Sequence, residues 1–330
     1  MIETPRRVHG PSARPVVRHA TERLRTGAAE LQQWARAHLG DRRLVLVSNR
    51  EPWSHHHQED GSIRAVRNAG GLTVSLDALA SAVGASWVAH GSGSASKESS
   101  DATGRLRCPP EDPSYTLRRI WLDEEDHTLF YGGAANSTLW PLCHVVFVRP
   151  RFDARAWDRY RDVNVRYAEA ALAEAGDEPA FIWLQDYHLA LAARTIREKR
   201  PEHSLGLFWH IPWPSPEVFR VLPSRRERLE GLLANDLLGF HLRGHALNFL
   251  QCVADTLEAR VDMERMAVDR KGHRTWVRAM PIGVPAVDIG NLADAPEAIA
   301  AEAAWRERLS LGNRKVILGV DRLDYTKGVP

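Results

Sequence analysis

The sequence predicts an α/β fold built on a doubly wound parallel sheet, and three observations carry that expectation. From Arg43 onward, short apolar runs alternate with amphipathic helical stretches, the rhythm of parallel strands buried on both faces. Polar residues follow the runs at once: Ser48-Asn49-Arg50, Asp186-Tyr187-His188 and His210 each stand just past one, where such sheets bind ligands. The third is the stretch KVILGVDRLDYTKGVP, residues 315–330, in which an apolar run empties into Asp321-Arg322 and Lys327 follows before Gly328. Two fixed cations at a strand end suit a diphosphate.

Taken in order, residues 1–42 form an N-terminal extension. Pro5, Pro11 and Pro15 sit among basic residues, and Val17, Leu24, Leu31 and Trp34 then make one stripe of a helix ending near Gly40. Its arginines could belong to a transit peptide, but Glu22, Glu30 and Asp41 favour an added surface helix. Residues 44–47 are the first strand; a polar loop leads to Gly70-Gly71 and a helix with Leu72, Leu76 and Leu79 on one face. Strands follow at residues 86–88, 181–184, 205–209 and 236–240. Helices striped by Leu189, Ala192, Ala193 and Ile196, and by Ala246, Phe249, Leu250, Val253 and Leu257, come after two of them. The prolines of His210-Ile211-Pro212-Trp213-Pro214 exclude helix and central strand there. Residues 261–280 read as a hairpin appended to that sheet, turning at Lys271-Gly272. Residues 43–285 thus make one domain. Residues 286–330 supply an Ala/Glu-rich helix and the first strand and turn of a second.

Composition narrows the function. The 330 residues, 44% apolar, are enough for two domains and a sizeable core. A net charge of +2 gives no global field to recruit nucleic acid, so an anionic ligand must be held by local clusters. Cys108, Cys143 and Cys252 are far apart, odd in number and outside CxxC spacing, which argues against a disulfide frame or zinc knot and fits a reducing cytoplasm. No run reaches the about 18 apolar residues of a spanning helix, and no membrane partner is expected. Self-association stays open.

Each chemical candidate has a plainer alternative. Arg50 can grip a phosphate or carboxylate, or simply pair with a structural acid. Gly70-Gly71 opens a helix whose free N–H groups suit a phosphate, although glycine pairs more often just permit a turn. Asp186 can accept hydrogen bonds from a hydroxylated ligand, with helix capping as the default. His210 is held by the prolines behind it, as a core histidine would also be. Tyr131 and Trp140 flank a polar loop, Asn136-Ser137-Thr138-Leu139, of the kind that grips sugar rings; core packing is the alternative for Trp140. His55-His56-His57 lacks metal-ligand spacing, so no metal and no cofactor are expected.

Together, VSNRE, NAGG, Tyr131 with NSTLWPLCH, LQDYHL, FWHIPWPSPEVFR, DLLGFH, MPIGV and GVDRLDYTKG resemble the trehalose-6-phosphate synthase family of retaining glucosyltransferases. The resemblance implies two facing Rossmann-like domains, the GT-B arrangement, and transfer of glucose from a nucleotide sugar such as UDP-glucose to glucose 6-phosphate. It also implies roles. Arg50, Tyr131, Trp140 and Asp186 would bind the acceptor. Gly70, Gly71, His210, Ile211, Arg322 and Lys327 would surround the donor, with Trp140 and Ile211 bearing on the choice of anomer. His210, Asp186, Arg322 and Lys327 would be nearest the chemistry. In the implied mechanism the acceptor hydroxyl attacks from the face the diphosphate leaves, a phosphate oxygen takes its proton, and no protein nucleophile is needed, unlike the paired carboxylates of glycoside hydrolases.

Two positions depart from the family's pattern. His90 stands where it usually has a second Trp, and Glu51 where an apolar residue is usual. Both would lie near the ligands, so a different acceptor is an alternative, as in glucosylglycerol-phosphate synthases or aminocyclitol-joining pseudo-glycosyltransferases. The family's remaining donor-domain residues would fall beyond Pro330. The chain is therefore expected to hold the acceptor half and to transfer little alone; a non-catalytic sugar-phosphate-binding subunit is the rival reading.

Overall fold

The structure, a computed structural model, describes residues 30–328 other than 69, 147, 285 and 322. The described chain divides into two units, residues 31–282 and the residues from Gly283 onward.

In the first unit the strands are β1 (Leu44–Arg50), β2 (Trp53–His57), β3 (Ile63–Arg67), β4 (Ser86–His90), β5 (Arg105–Cys108), β6 (Tyr115–Ile120), β7 (Phe181–Gln185), β8 (Ser204–Trp209), β9 (Leu237–Phe240), β10 (Arg260–Asp262), β11 (Ala267–Arg270) and β12 (His273–Ala279). Among the described residues, ten of these form one sheet in the order β10-β11-β12-β9-β8-β7-β1-β4-β6-β5, while β2 and β3 pair separately. The run from β12 to β6 is parallel throughout. Antiparallel neighbours close both ends.

The alternation of β1 explains why the sheet is covered on both faces. Val45 and Val47 join the core that contains Tyr160, Val163 and Tyr167 of the helix Ala154–Ala175. Leu44 and Leu46 join the other, with Leu76 and Ala80 of the helix Gly71–Val83 and with Trp87 and Tyr115. All four strand residues are at most 5% exposed, each contributing about 1.5–3 kcal/mol of apolar burial. After β1 the chain builds β4 and β6 on one side, then returns to place β7, β8 and β9 on the other. The loops leaving β1 and β7 therefore diverge and open a crevice at the strands' carboxyl ends.

Several expectations need amendment. On the helix of residues 30–39 it is Ala35 that is buried, whereas Trp34 is 56% exposed and stacks on His38 at 4.4 Å; Val17 and Leu24 lie outside the described residues. The polar loop after β1 contains the β2–β3 hairpin, and His55-His56-His57 belongs to β2. The hairpin at Lys271-Gly272 is as read, with positive φ at both residues and joined to the main sheet where β12 pairs with β9.

In the second unit the anticipated single helix is two, Ala286–Ala293 and Pro296–Arg308. Pro296 suits a first turn and cannot continue a helix. The strand expected at residues 315–320 is not formed: that run is unpaired, and Ile317, Leu318 and Val320 are 100%, 81% and 85% exposed. Strand geometry is sustained by a neighbouring ladder, and none among the described residues reaches it. Tyr325–Lys327 is a single tight turn capped by the Asp324 carboxylate, which accepts from Thr326 N at 2.9 Å. The Lys327 ammonium lies 3.7 Å from Asp321. Arg322, the other cation expected there, lies outside the described residues.

Candidate active site

The end of β1 is bent by its own side chains. Ser48 Oγ donates to the Arg50 carbonyl at 2.7 Å and accepts from the buried Trp87 indole at 2.8 Å, and the pairing with β4 shifts register between Val47 and Arg50. The guanidinium is left exposed, where it donates from Nη2 to the Tyr131 hydroxyl at 3.0 Å. With Asn49, Asn68, His90 and His127 these two residues line a cleft of about 270 Å³. Burial holds the His90 imidazole below its usual range. Among the described residues no acid lines this cleft.

Tyr131 lies within a widened helical run, His127–Leu139, whose C-terminal bond joins Trp140 N to Ala135 O. The loop expected at residues 136–139 is thus helical. Its polar residues do not break the helix because they find tertiary partners: Asn136 Oδ1 accepts from the Tyr187 hydroxyl at 3.0 Å, and Thr138 Oγ1 donates to the Arg151 carbonyl. Trp140 packs against Tyr187 and His144, with ring centres at 6.0 and 4.1 Å.

Asp186, between β7 and the turn Tyr187–Leu189, has φ 73° and ψ 172°, a region nearly reserved for glycine that costs on the order of 1–3 kcal/mol. Its surroundings hold it there. Asp186 N donates to Phe208 O at 2.7 Å, and its Oδ1 accepts from Tyr187 N at 2.9 Å and His210 N at 3.1 Å. Tyr160 and Asn164 bind the next two carbonyls, at 2.5 and 3.0 Å. One carboxylate thereby ties the ends of β7 and β8 together, a role nearer to positioning than to helix capping alone. Burial outweighs those hydrogen bonds and lifts its carboxyl to about 7.

Two imidazoles adjoin it. His188 stacks on Tyr131, with ring centres 5.7 Å apart and planes at 9°, and its Nδ1 lies 3.9 Å from Asp186. Burial, then the charges of Arg50 and His210, push it down to about 3. His210 is lowered to about 4 by burial and by His241. Its Nε2 lies 3.0 Å from Gln185 Oε1, which puts the proton of the neutral ring on Nε2 and leaves Nδ1 as an acceptor. Ile211 is 6% exposed and packs in the core.

Gly70 precedes the helix Gly71–Val83, whose first turn offers N–H groups without intrahelical acceptors. A side chain at Gly71 would meet no atom within 4 Å, so the protein's own packing does not require the glycine. The helix start is joined to the cleft through Asn68, which donates to the Glu51 carbonyl at 2.9 Å and accepts from Thr73 Oγ1 at 3.1 Å.

Glu51 itself turns away from the cleft. It is 1% exposed and meets Arg119, fully buried, at 2.7 Å; its Oε1 also accepts from Ser92 N and Oγ at 2.7 and 3.0 Å. Arg119 further donates to Ser96 O, Ser99 Oγ and Trp53 O at 2.8, 2.9 and 3.0 Å. This departure from the family pattern is therefore a structural pair with Arg119, while His90 does line the cleft. Sequence reasoning missed Arg119, Asn68, His127 and Gln185, all far in sequence from the motifs they serve or masked within one.

The raised Asp186 pKa has a defined consequence for stability. Between about 4, where the unfolded carboxyl ionises, and about 7, where the folded one does, the native state holds the extra proton, so this group's contribution falls as pH rises. His188 and His210 act oppositely, their contribution being present above the unfolded value and lost as pH drops through about 6.5 toward 3 to 4. Asp186→Asn keeps an oxygen acceptor for both backbone N–H groups. The variant is expected to gain stability relative to wild type progressively from pH 4 to 7, measured by urea unfolding at each pH; a difference independent of pH would contradict the assignment.

Residues 42–330 match the profile of glycosyltransferase family 20. The chain is 38% identical over 306 residues to trehalose-6-phosphate synthase of Mycolicibacterium vanbaalenii, a match covering 90% of this chain and 61% of that one. For the Mycolicibacterium smegmatis enzyme of the same name the figures are 39% over 294 residues, 87% and 56%. The chain thus spans about three fifths of the length of the curated relatives it matches. A Burkholderia xenovorans α,α-trehalose-phosphate synthase solved with glucose 6-phosphate superposes with TM-score 0.70 at 30% identity, covering 87% of this chain and 59% of that one. An Escherichia coli structure bound with UDP-2-fluoro glucose gives 0.64 at 28%, covering 80% and 54%.

Proposed function

The chain belongs to glycosyltransferase family 20, and from that premise we propose that residues 43–285 are the acceptor-binding part of a retaining glucosyltransferase that moves glucose from a nucleotide sugar, UDP-glucose or similar, to glucose 6-phosphate. What supports the reading is that Arg50 and Tyr131 line one cleft, and that Tyr131 stacks on His188 next to the Asp186 carboxylate, which accepts from His210 N. Arg50 takes the acceptor's phosphate, a charge-assisted contact that its fork geometry suits. Asp186 and the neutral His210 position sugar hydroxyls, with Nδ1 of His210 as an acceptor. The first turn of the helix Gly71–Val83 offers its N–H groups to a phosphate of the donor. Trp140 and Ile211 enter only as shape-setting residues behind this site.

The test is calorimetry of the 330-residue polypeptide with glucose 6-phosphate and with glucose. One site is expected, at least about tenfold tighter for the phosphorylated sugar, with no nucleoside diphosphate released from UDP-glucose by this polypeptide alone. Equal affinity for the two sugars would refute the acceptor role of Arg50. A second reading, a different phosphorylated acceptor, is favoured by His90 in the cleft wall; it predicts another sugar or polyol phosphate binding more tightly than glucose 6-phosphate.

A further inference from the structure

A second cavity, of about 680 Å³, is lined in part by the helices Ala154–Ala175 and Arg225–Leu232 and shares no lining residue with the Arg50 cleft. Its wall holds four arginines and three carboxylates, and three of the arginines are already engaged. Arg161 forks onto Glu227 at 2.7–3.1 Å, Arg194 meets Glu198 at 2.9 Å, and Arg226 donates to Thr256 O at 3.0 Å. The carboxylates are engaged too: Glu230 binds Arg270 at 2.7 Å, and Asp153 caps its helix by accepting from Arg155 N at 2.8 Å.

Arg228 is the exception. It is 2% exposed, lies over the rings of Trp157 and Tyr160 at 4.2 and 4.5 Å, and donates from Nε to Ser224 Oγ at 3.0 Å. Its Nη1 is buried with no hydrogen-bond partner among the described residues. The Tyr160 hydroxyl below it is committed to Tyr187 O and Ala190 N. A guanidinium stacked on aromatic faces, with Glu227 acting on it only through space and Nη1 left without an acceptor, is a cation held in place with a donor to spare, an arrangement that an incoming anion completes. Apart from Thr138 and Ser224, the remaining wall is apolar, including Ala134, Phe152, Ala154 and Leu222.

We propose that this cavity is a second ligand site, separate from the acceptor cleft, for a small organic anion that sets one carboxylate or phosphate against Arg228 and an apolar body against Phe152 and Leu222. Phenylacetate and its uncharged counterpart phenylacetamide serve as probes, titrated calorimetrically into the 330-residue chain. Phenylacetate is expected to bind at least about tenfold more tightly than the amide. Arg228→Met should abolish that preference. Ala154→Phe, a substitution at an exposed position that fills the cavity, should abolish binding of both and decides the matter if Arg228→Met does not fold. No binding of phenylacetate by the unaltered chain, a preference surviving in Arg228→Met, or binding unchanged in Ala154→Phe would each overturn the proposal.

Discussion

Arg119→Leu is expected to lower the stability of the first unit by about 3–5 kcal/mol, the usual consequence of leaving one member of a buried ion pair uncompensated, and its melting temperature by roughly 10 °C. Both side chains of the Glu51–Arg119 pair are wholly inaccessible to solvent, so the stranded Glu51 would have to stay charged without Arg119 as its countercharge or take up a proton. Arg119 also holds Ser96, Ser99 and the Trp53 carbonyl, and their loss should loosen the segment around Ser92 beside the cleft. Replacing both members, Glu51→Leu with Arg119→Leu, removes the charge altogether and should cost less than Arg119→Leu alone. Thermal unfolding of the two variants checks this; a double variant less stable than the single would reject the ion-pair explanation.

Arg50→Ala should weaken glucose 6-phosphate binding by roughly 30- to 100-fold, the worth of hydrogen bonds to a charged group, while leaving the melting temperature nearly unchanged because the side chain is exposed and its single described bond is to Tyr131. Glucose, lacking the phosphate, should lose far less. Arg50→Lys should recover only part of the affinity, since an ammonium keeps the charge but not the fork. Glucose 6-phosphate bound equally well by Arg50→Ala would remove this residue from the acceptor site.

Much of this was readable in the chain because strand ends in a parallel sheet are marked by an abrupt change from apolar to polar residues. Leu44-Val45-Leu46-Val47 before Ser48-Asn49-Arg50, and Phe181-Ile182-Trp183-Leu184 before Asp186, announce both the strands and the crevice. What escaped reading depended on partners distant in sequence. The helical state of residues 136–139 is sustained by Tyr187 and Arg151. Glu51 looks like an intrusion near a ligand until Arg119, 68 positions away, comes to lie against it. Nothing in the local pattern reveals that Asp186 adopts a backbone conformation nearly reserved for glycine, because its cause is the set of hydrogen bonds converging from β8 and the helix Ala154–Ala175. The strand foreseen at residues 315–320 failed for the same reason in reverse: apolar content proposes a strand, and only a neighbour makes one.

The division of β1 between two cores ties recognition to alignment. Because successive side chains point to opposite faces, a slip of one position would deliver Leu44 and Leu46 to the layer shaped for Val45 and Val47, and would swing Arg50 off the side where Tyr131 waits. Misaligned chains are thus penalised twice, in packing and in charge, and the forces that reject them are those that keep the guanidinium aimed into the cleft.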